Sequence, residues 1–283
     1  IRLSLVGSEM CIRDRYLTIK IKGLMKMNLK ETKHLTTVEY GSGFQQLADS
    51  ESDVDKLNLV LQPFRNTVFK NVQEGSHHDK NNDRFYSVER FVNLVLRGNS
   101  DGLLLLSAQL TQARNKEVNL HALRTFYDHP DAFGELLVSR QRAYVRSLLG
   151  ELSKYLKTNE TSDVTGKTWL KEVATVHKLL YVKAVVEGEK QYPTFKNYVE
   201  ESQNTCHLMS VQDILPHKRK SYEELKEVPE YQRYLEQDRP MVKKLATRSS
   251  KGFDFANQFH NRPFKYEDEL VENLMQFLIK HRF

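Results

Sequence analysis

Hydrophobic and polar residues alternate in two segments of the first part of the chain, as they do in β-strands. Residues 35–40 are rich in β-branched and aromatic types and stop at Gly41, and residues 56–61 place three leucines on one face. Alternation with a period of two, bounded by turn residues, is typical of a strand with one buried face. The sequence therefore predicts two strands, joined by a loop of small and polar residues over 42–52.

A polar segment and then a helical pattern follow the second strand. Residues 72–83 are polar and predict a surface loop, and residues 84–86 predict a short extended piece. Ser87 is a residue type that caps helix N-termini, and apolar residues follow it at i, i+3, i+4 and i+7 up to Gly98. These residues are Val88, Phe91, Val92 and Val95. The pattern predicts an amphipathic helix.

From about residue 102 onward, apolar residues recur with the period of a helix. Residues 131–157 and 167–187 carry apolar stripes, and the second stripe closes at Gly188. A final helix is predicted around residues 270–278, after two charged segments within 217–251. The pattern as a whole indicates a small unit of strands and helices followed by an α-helical remainder.

Composition places the chain among ordinary globular proteins. Of its 283 residues, 39% are hydrophobic and 28% are charged. No run approaches the roughly 20 apolar residues that a membrane helix needs, so we expect no membrane association. Two cysteines, Cys11 and Cys206, do not suggest a disulfide framework and fit a reducing cytoplasm.

The positive charge of the chain is concentrated at its start. Residues 1–24 hold five basic and two acidic residues, a net of +3, while the whole chain carries +6. The rest of the chain therefore carries only +3, which is weak support for a nucleic-acid surface. Residues 8–15 also resemble a translated sequencing-adaptor read-through. We expect residues 1–24 to be a non-native segment and the native start to be Met25 or Met27.

One short pattern in the first part of the chain suggests chemistry. Gly41 and Ser42 follow the first predicted strand, and nine residues later come Ser52, Asp53, Val54 and Asp55. A glycine and a small hydroxyl residue at a turn allow the backbone to approach phosphates closely. Carboxylates at i and i+2 at the start of a strand point to the same face, where they can share hard metal ions such as Mg²⁺.

Simpler interpretations of these residues exist. A Gly-Ser pair is usually a turn, and an Asp-x-Asp pair is usually a solvated loop. A calcium-binding EF-hand is excluded, because Val54 stands where its loop needs glycine and Val60 stands where it needs glutamate. The order of strand, Gly-Ser turn, spacer, Asp-x-Asp and apolar strand favours the chemical interpretation.

This order resembles the DNA-polymerase-beta-type nucleotidyltransferase superfamily, which also has a Leu-Ala pair where this chain has Leu47 and Ala48. A second block, residues 86–100, resembles the Tyr-Ser-Leu-Arg-Lys-Phe…Gly-Asn-Pro block of one branch. That branch is the RNA-ligase-associated predicted nucleotidyltransferases of bacteria and phages. A third, weaker similarity begins at Lys171, and the resemblance extends over about residues 35–200.

The resemblance implies an α+β fold, with a small mixed-sheet nucleotidyltransferase core over residues 25–110 and an α-helical region over residues 111–283. It implies that Asp53 and Asp55 hold Mg²⁺ or Mn²⁺. Phosphate contacts are implied at Gly41 and Ser42. The implied activity transfers a nucleoside monophosphate from a nucleoside triphosphate to a hydroxyl acceptor, for example an RNA end.

The chain also departs from the pattern of the branch. An Arg-Lys pair is replaced by Glu89 and Arg90, Asn-Pro by Asn99 and Ser100, and a glycine by Gln46. Where the branch has an acidic residue this chain has Leu104, and Thr175 stands in place of a helical histidine. These departures leave an alternative open, a catalytically weakened member that acts as an RNA-binding or partner-binding module.

The superfamily uses a third carboxylate to activate the attacking hydroxyl. Asp83, directly before the predicted extended piece, is the candidate, although it could equally be an ordinary loop aspartate; Glu89 is a poorer choice. The adjacent His77 and His78 are expected to be solvated. The basic cluster at 218–220 either contacts RNA or forms a solvated face, and the solvated face is favoured.

Overall fold

The computed structural model describes residues 32–62, 76–78, 83–112, 116–158, 164–203 and 209–282. The predicted non-native segment, residues 1–24, and the two candidate start residues lie outside this part of the chain. Helices and a small mixed sheet make up the described structure, and the helices follow the sheet in sequence. The α+β class and the helical C-terminal region predicted above are therefore confirmed.

The main sheet has four strands in the spatial order β1-β2-β4-β3. The strands are β1 (Lys33–Tyr40), β2 (Asp55–Leu61), β3 (Ser76–His78) and β4 (Arg84–Ser87). The central pair β2 and β4 is parallel and the two outer pairs are antiparallel, so the sheet is mixed.

The third strand corrects one expectation. Residues 72–83 were predicted to form a polar loop, but residues 76–78, including both histidines, pair with β4 as an edge strand. Edge strands are held by backbone hydrogen bonds and need no apolar face, so their sequence can be entirely polar. The remaining residues of that prediction, apart from Asp83, lie outside the described part of the chain.

The first long helix, α2 (Val88–Leu96), follows β4 directly. A short helical turn, α1 (Gly41–Phe44), precedes it after β1. The Ser87 hydroxyl accepts a hydrogen bond from the Arg90 backbone N–H, as expected of an N-cap, and Gly98 has a φ of +65° after the helix. All four apolar residues of the predicted stripe are buried, so this helix was predicted correctly.

Helix α3 (Ser100–Gln112) joins the sheet to the helical region. Nearly all of its side chains are buried, because it contacts β1 and α2 on one side and the later helices on another. Its last residue, Gln112, pairs with the backbone of Glu39 on β1, donating to the carbonyl and accepting from the N–H at 3.0 Å each. The domain boundary predicted between residues 110 and 111 falls inside this helix.

The helical region contains two long helices at its centre. The stripe over 131–157 forms two helices separated at Arg140, and the stripe over 167–187 forms one. At this break the Arg140 guanidinium donates to the carbonyls of Leu96 and Arg262. The helices between residues 116 and 186 are α4 (Lys116–His121), α5 (Thr125–Asp128), α6 (Ala132–Ser139), α7 (Gln141–Thr158) and α8 (Gly166–Val186). The two long central helices are α7 and α8.

Short elements make up most of the remaining chain. A two-stranded hairpin, which the sequence analysis did not anticipate, lies among them. The helices are α9 (Tyr198–Gln203), α10 (Val211–Ile214), α11 (Tyr222–Lys226), α12 (Pro229–Arg233), α13 (Arg239–Leu245) and α14 (Glu267–Arg282). The hairpin strands are β5 (Arg248–Ser249) and β6 (Gly252–Phe253).

A single hydrophobic core runs through both the sheet and the helices. It extends from Leu35 on β1 to Leu278 on α14, and it includes the fully buried Trp169 at the start of α8. None of the helices in the described ranges is both long enough and apolar enough to cross a membrane.

The start of α8 packs unusually closely on the chain at residue 217. A Cβ atom added to Gly166 would lie 1.7 Å from the carbonyl oxygen of His217, whereas one added to Gly150, within α7, would meet nothing within 4 Å. We expect Gly166→Ala to lower the free energy of unfolding by about 1–3 kcal/mol, because the backbone must move apart. Gly150→Ala should raise it by about 0.5–1 kcal/mol, since alanine favours a helix interior. Urea unfolding of both variants measures the difference, and equal effects would contradict this packing.

Candidate functional site

A cleft of about 340 Å³ lies between the sheet and the helical region. The sheet contributes the end of β1, the turn that follows it and the starts of β2 and β4. The helical region contributes one face each of α7 and α8 and the start of α3, together with Lys218. The cleft is therefore formed by segments that are far apart in the sequence.

Strand register brings three side chains together on the sheet side of the cleft. Tyr40 on β1 lies opposite Asp55 on β2, and Leu57, two residues further along β2, lies opposite Arg84 on β4. Because side chains alternate along a strand, Tyr40, Asp55 and Arg84 share one face. The Arg84 guanidinium lies 4.9 Å from the centre of the Tyr40 ring. Burial raises the pKa of Tyr40 to about 12, while the charge of Arg84 acts in the opposite direction.

The turn after β1 lies directly against Asp55. Gly41 has a φ of +74°, a conformation that favours glycine, and a Cβ atom added there would lie 2.2 Å from the Asp55 Oδ2 atom. Gly41, Ser42 and the half-buried Asp55 all line the cleft. The Asp55 carboxylate thus occupies the space that a side chain at position 41 would need.

Helix α8 presents a row of cationic side chains to the opposite side of the cleft. Lys167, Lys171 and Lys178 line it together with Thr175, and successive members of this row are three or four residues apart, which places them along one side of the helix. Surrounding protein lowers the pKa of Lys171, and the positive charge of Lys167 lowers it further, while Asp55 acts in the opposite direction. Burial also lowers the pKa of Lys178.

Lys218 fixes the loop that connects the Gly-Ser turn to Asp53. Its side chain is only 6% exposed, and its Nζ atom donates to the Leu47 carbonyl at 2.8 Å and to the Ser52 hydroxyl at 2.5 Å. Asp49 Oδ2 lies 3.7 Å from the same nitrogen. The neighbouring Arg219 makes two hydrogen bonds to Asp49, and with Ser52 it holds the pKa of that carboxyl well below its usual range.

Two further contacts secure the start of this loop. Lys178 donates to the side-chain oxygen of Gln45, and the Gln203 amide donates to the Gln45 backbone carbonyl.

The basic cluster at 218–220 was expected to be a solvated face or an RNA contact. For Lys218 that expectation is wrong, because its charge is buried against loop oxygens.

The end of the cleft next to α3 and α7 is acidic and aromatic. Asp101 and Glu151 lie there with Tyr144 and Tyr155, and the Ser100 hydroxyl donates to Glu151. Burial raises the pKa of Glu151 above its usual range, and burial together with the nearby carboxylates raises the pKa of Tyr155 to about 12. Asp101 is exposed and pairs with Arg84 at 3.4 Å.

The charges of the cleft are unequally distributed. Five cationic side chains and three carboxylates line it, which gives a net charge of +2 when all are ionised. The positive charge is concentrated along α8, facing the Gly-Ser turn. A site with this distribution favours a polyanionic ligand whose charge lies between the turn and the helix.

The structure brings together only some of the residues that the sequence analysis selected. Gly41, Ser42 and Asp55 meet in the cleft, whereas Asp53 and Asp83, although described, do not line it. Asp53 is exposed in the irregular segment before β2. Asp83 precedes β4 by one residue, and because Arg84 faces the cleft, alternation directs Asp83 to the other face of the sheet.

The donor atoms of the cleft fit a divalent cation that is shared with a phosphate ligand. No group of three or more His, Cys, Asp or Glu side chains within the described ranges could hold a metal ion. Mg²⁺, however, is commonly held by one or two carboxylates together with substrate phosphates and water. The Asp55 carboxylate beside the Gly-Ser turn supplies the hard oxygen ligand that such a site requires.

The cleft residues contributed by the helical region were not predicted from the sequence. Lys167, Lys171 and Lys178 could have been found as a cationic stripe at helical spacing, although nothing local indicates what the stripe faces. Glu151 carries no sequence signal of its own, since it is a single half-buried acidic residue in an amphipathic helix.

No protein-family model, curated protein or solved structure matches this chain.

We expect the buried ammonium group of Lys218 to stabilise both the fold and the loop of residues 45–52. Lys218→Met should lower the free energy of unfolding by about 1–3 kcal/mol, because the Leu47 carbonyl and the Ser52 hydroxyl lose their donor. Hydrogen exchange in residues 45–52 should become faster. Lys244→Met, which removes an exposed charge on α13, is the matched control and should change neither property. Unchanged exchange in the loop of Lys218→Met would contradict the role assigned to this side chain.

Proposed function

We propose that this protein is a metal-dependent nucleotidyltransferase, which transfers a nucleoside monophosphate from a nucleoside triphosphate to a hydroxyl acceptor and releases pyrophosphate. The observation that carries the proposal is the position of Asp55. Its carboxylate lies against the Gly41–Ser42 turn in a cleft whose opposite wall is a row of lysines. A turn, a carboxylate and fixed cations are the components that positioning a triphosphate requires.

The triphosphate is proposed to lie between the turn and helix α8. The backbone at Gly41 and Ser42 contacts its phosphates on one side, and Lys167 and Lys171 neutralise its charge on the other. When bound, Mg²⁺ or Mn²⁺ neutralises phosphate charge and orients the oxygens of the reacting group. Asp55 would hold this ion; Asp53, which the resemblance also implied as a ligand, is exposed and does not line the cleft.

In the reaction, the acceptor hydroxyl loses its proton and its oxygen forms a bond to the α-phosphorus. The bond from that phosphorus to the bridging oxygen of the β-phosphate breaks, and pyrophosphate leaves. The protein contributes mainly by positioning and by balancing charge. The acceptor is an RNA end, a protein side chain or a small molecule, and the proposed setting is the cytoplasm.

A binding module without transfer activity is the second candidate. Three of the positions at which the chain departs from the nucleotidyltransferase pattern, Ser100, Leu104 and Thr175, line the cleft itself. Substitutions in the walls of the site can remove activity while the capacity to bind RNA or a partner remains.

A transfer experiment distinguishes the two candidates. Each labelled nucleoside triphosphate is incubated with Mg²⁺ and with RNA, protein and small-molecule acceptors. The wild type should transfer label, and Asp55→Asn should lose transfer and show metal-dependent nucleotide affinity at least ~10-fold lower in calorimetry, because an ionised ligand is replaced by a neutral amide. Glu236→Asn, on the exposed surface, is the control. Nucleotide affinity that is the same in Asp55→Asn and the wild type would refute the proposed metal site.

The cationic wall can be tested by affinity alone. Lys171→Met should weaken nucleoside triphosphate binding by about 10–100-fold, since a hydrogen bond to a charged group contributes about 1.5–3 kcal/mol. The difference should shrink as salt is added, because exposed charges are screened. Lys157→Met, which removes an exposed lysine from α7 outside the cleft, is the matched control. An equal change in both variants would exclude a direct phosphate contact by Lys171.

A further inference from the structure

We infer that Glu151, on helix α7, is the general base that accepts the proton of the acceptor hydroxyl. The inference rests on the proposed function and assigns the acidic end of the cleft to the acceptor. It also replaces the sequence-based candidate for this role, Asp83, which does not line the cleft although the structure describes it.

Position is the first reason. Glu151 lines the same cleft as Asp55 and Lys171, and the charges of both carboxylates act on that lysine. A hydroxyl that enters from the α7 side can therefore lie near Glu151 while its oxygen is directed toward a phosphate held beside Lys171 and Asp55. A general base must lie within hydrogen-bond reach of the proton that it removes.

Orientation is the second reason. The Ser100 hydroxyl donates to one oxygen of Glu151, and the Ser147 hydroxyl lies 2.7 Å from the Ser100 hydroxyl. Ser147 in turn accepts from the Ser100 backbone N–H at 3.2 Å. These bonds hold one oxygen of the Glu151 carboxylate and thereby fix the orientation of the other oxygen. Ser100 is thus a positioning residue.

The electrostatic surroundings make Glu151 a stronger base than an exposed glutamate, because they raise its pKa. Burial raises the pKa of Glu151, and Asp101 on α3 raises it further. Lys178 on α8 and Lys154 on α7 act in the opposite direction, as does the Ser100 hydrogen bond. The other titratable groups that interact with Glu151 are Lys171 on α8, Tyr144 and Tyr155 on α7, and Tyr198 on α9.

The other carboxylates of the cleft are less suited to this role. Asp101 is exposed, and its carboxylate is already engaged by the Arg84 guanidinium. Asp55 lies against the Gly-Ser turn, where it is proposed to hold the metal ion. In the step itself, the acceptor O–H bond breaks, its proton passes to a Glu151 oxygen and the acceptor oxygen forms the bond to the α-phosphorus.

Glu151→Gln tests the inference, using the full chain and the nucleotide and acceptor that give transfer in the labelling experiment. The turnover rate should fall by at least ~100-fold, the usual contribution of a general base, while the Kd for the nucleotide stays within about twofold. The wild-type rate should rise with pH through the raised pKa of Glu151, above its ordinary value of 4.5, because only the ionised carboxylate accepts a proton. This rise should be absent in Glu151→Gln and retained, at a lower maximum, in Glu151→Asp.

Two comparisons make the result decisive. Glu236→Gln and Asp83→Asn should both turn over at rates close to that of the wild type. Near-normal turnover in Glu151→Gln, or a loss confined to Asp83→Asn, would overturn the role of Glu151 and leave the proposed function standing. A wild type that binds nucleotide but transfers it to no acceptor would overturn the proposed function, and the role of Glu151 with it. A large rise in nucleotide Kd in Glu151→Gln would assign the residue to binding instead of proton transfer.

Discussion

The ion–dipole contact between Lys218 and the loop of residues 45–52 is the constraint on which the cleft depends. Removing an ammonium group from water costs several kcal/mol, and burial accordingly lowers the pKa of Lys218. The cost is offset because the Leu47 carbonyl and the Ser52 hydroxyl accept hydrogen bonds from it and Asp49 lies close by. The loop is thereby held against the helical region. Since this loop follows the Gly-Ser turn and Lys218 itself lines the cleft, the contact joins the two walls of the cleft.

The parts of the fold that the sequence predicted correctly are those in which local pattern and burial agree. Alternation identified β1 and β2, and a capping serine followed by four apolar residues identified α2. The strand at 76–78 was missed because pairing with β4 holds a polar edge strand that has no apolar face. The break at Arg140 was missed for a different reason. The apolar stripe continues through it, and the carbonyls that bind its guanidinium come from residues 96 and 262.

The candidate site also has one part that could be predicted from the sequence and one part that could not. Gly41, Ser42 and Asp55 could be predicted because two adjacent strands and one turn determine their arrangement. Arg84 joins them only through the parallel register of β2 and β4, which no local pattern specifies. The side chains of the opposite wall, such as Lys171 and Glu151, depend on how α7 and α8 pack against the sheet. That packing is a property of the shared hydrophobic core, and the sequence patterns of the two helices show which face is apolar but not which partner it meets.

The distance along the chain between Lys218 and its loop has a consequence for how the protein is made. The two contacts are separated by 171 and 166 residues. At roughly 5–20 residues per second, a ribosome needs on the order of 10–30 s to add that length of chain. During this interval the turn and Asp55 have been made and the lysines of α8 are added, yet the buried ammonium group of Lys218 does not exist. Synthesis order therefore keeps the pocket incomplete until most of the chain has emerged, and a polypeptide interrupted before residue 218 would leave the ribosome with an open and unsecured loop.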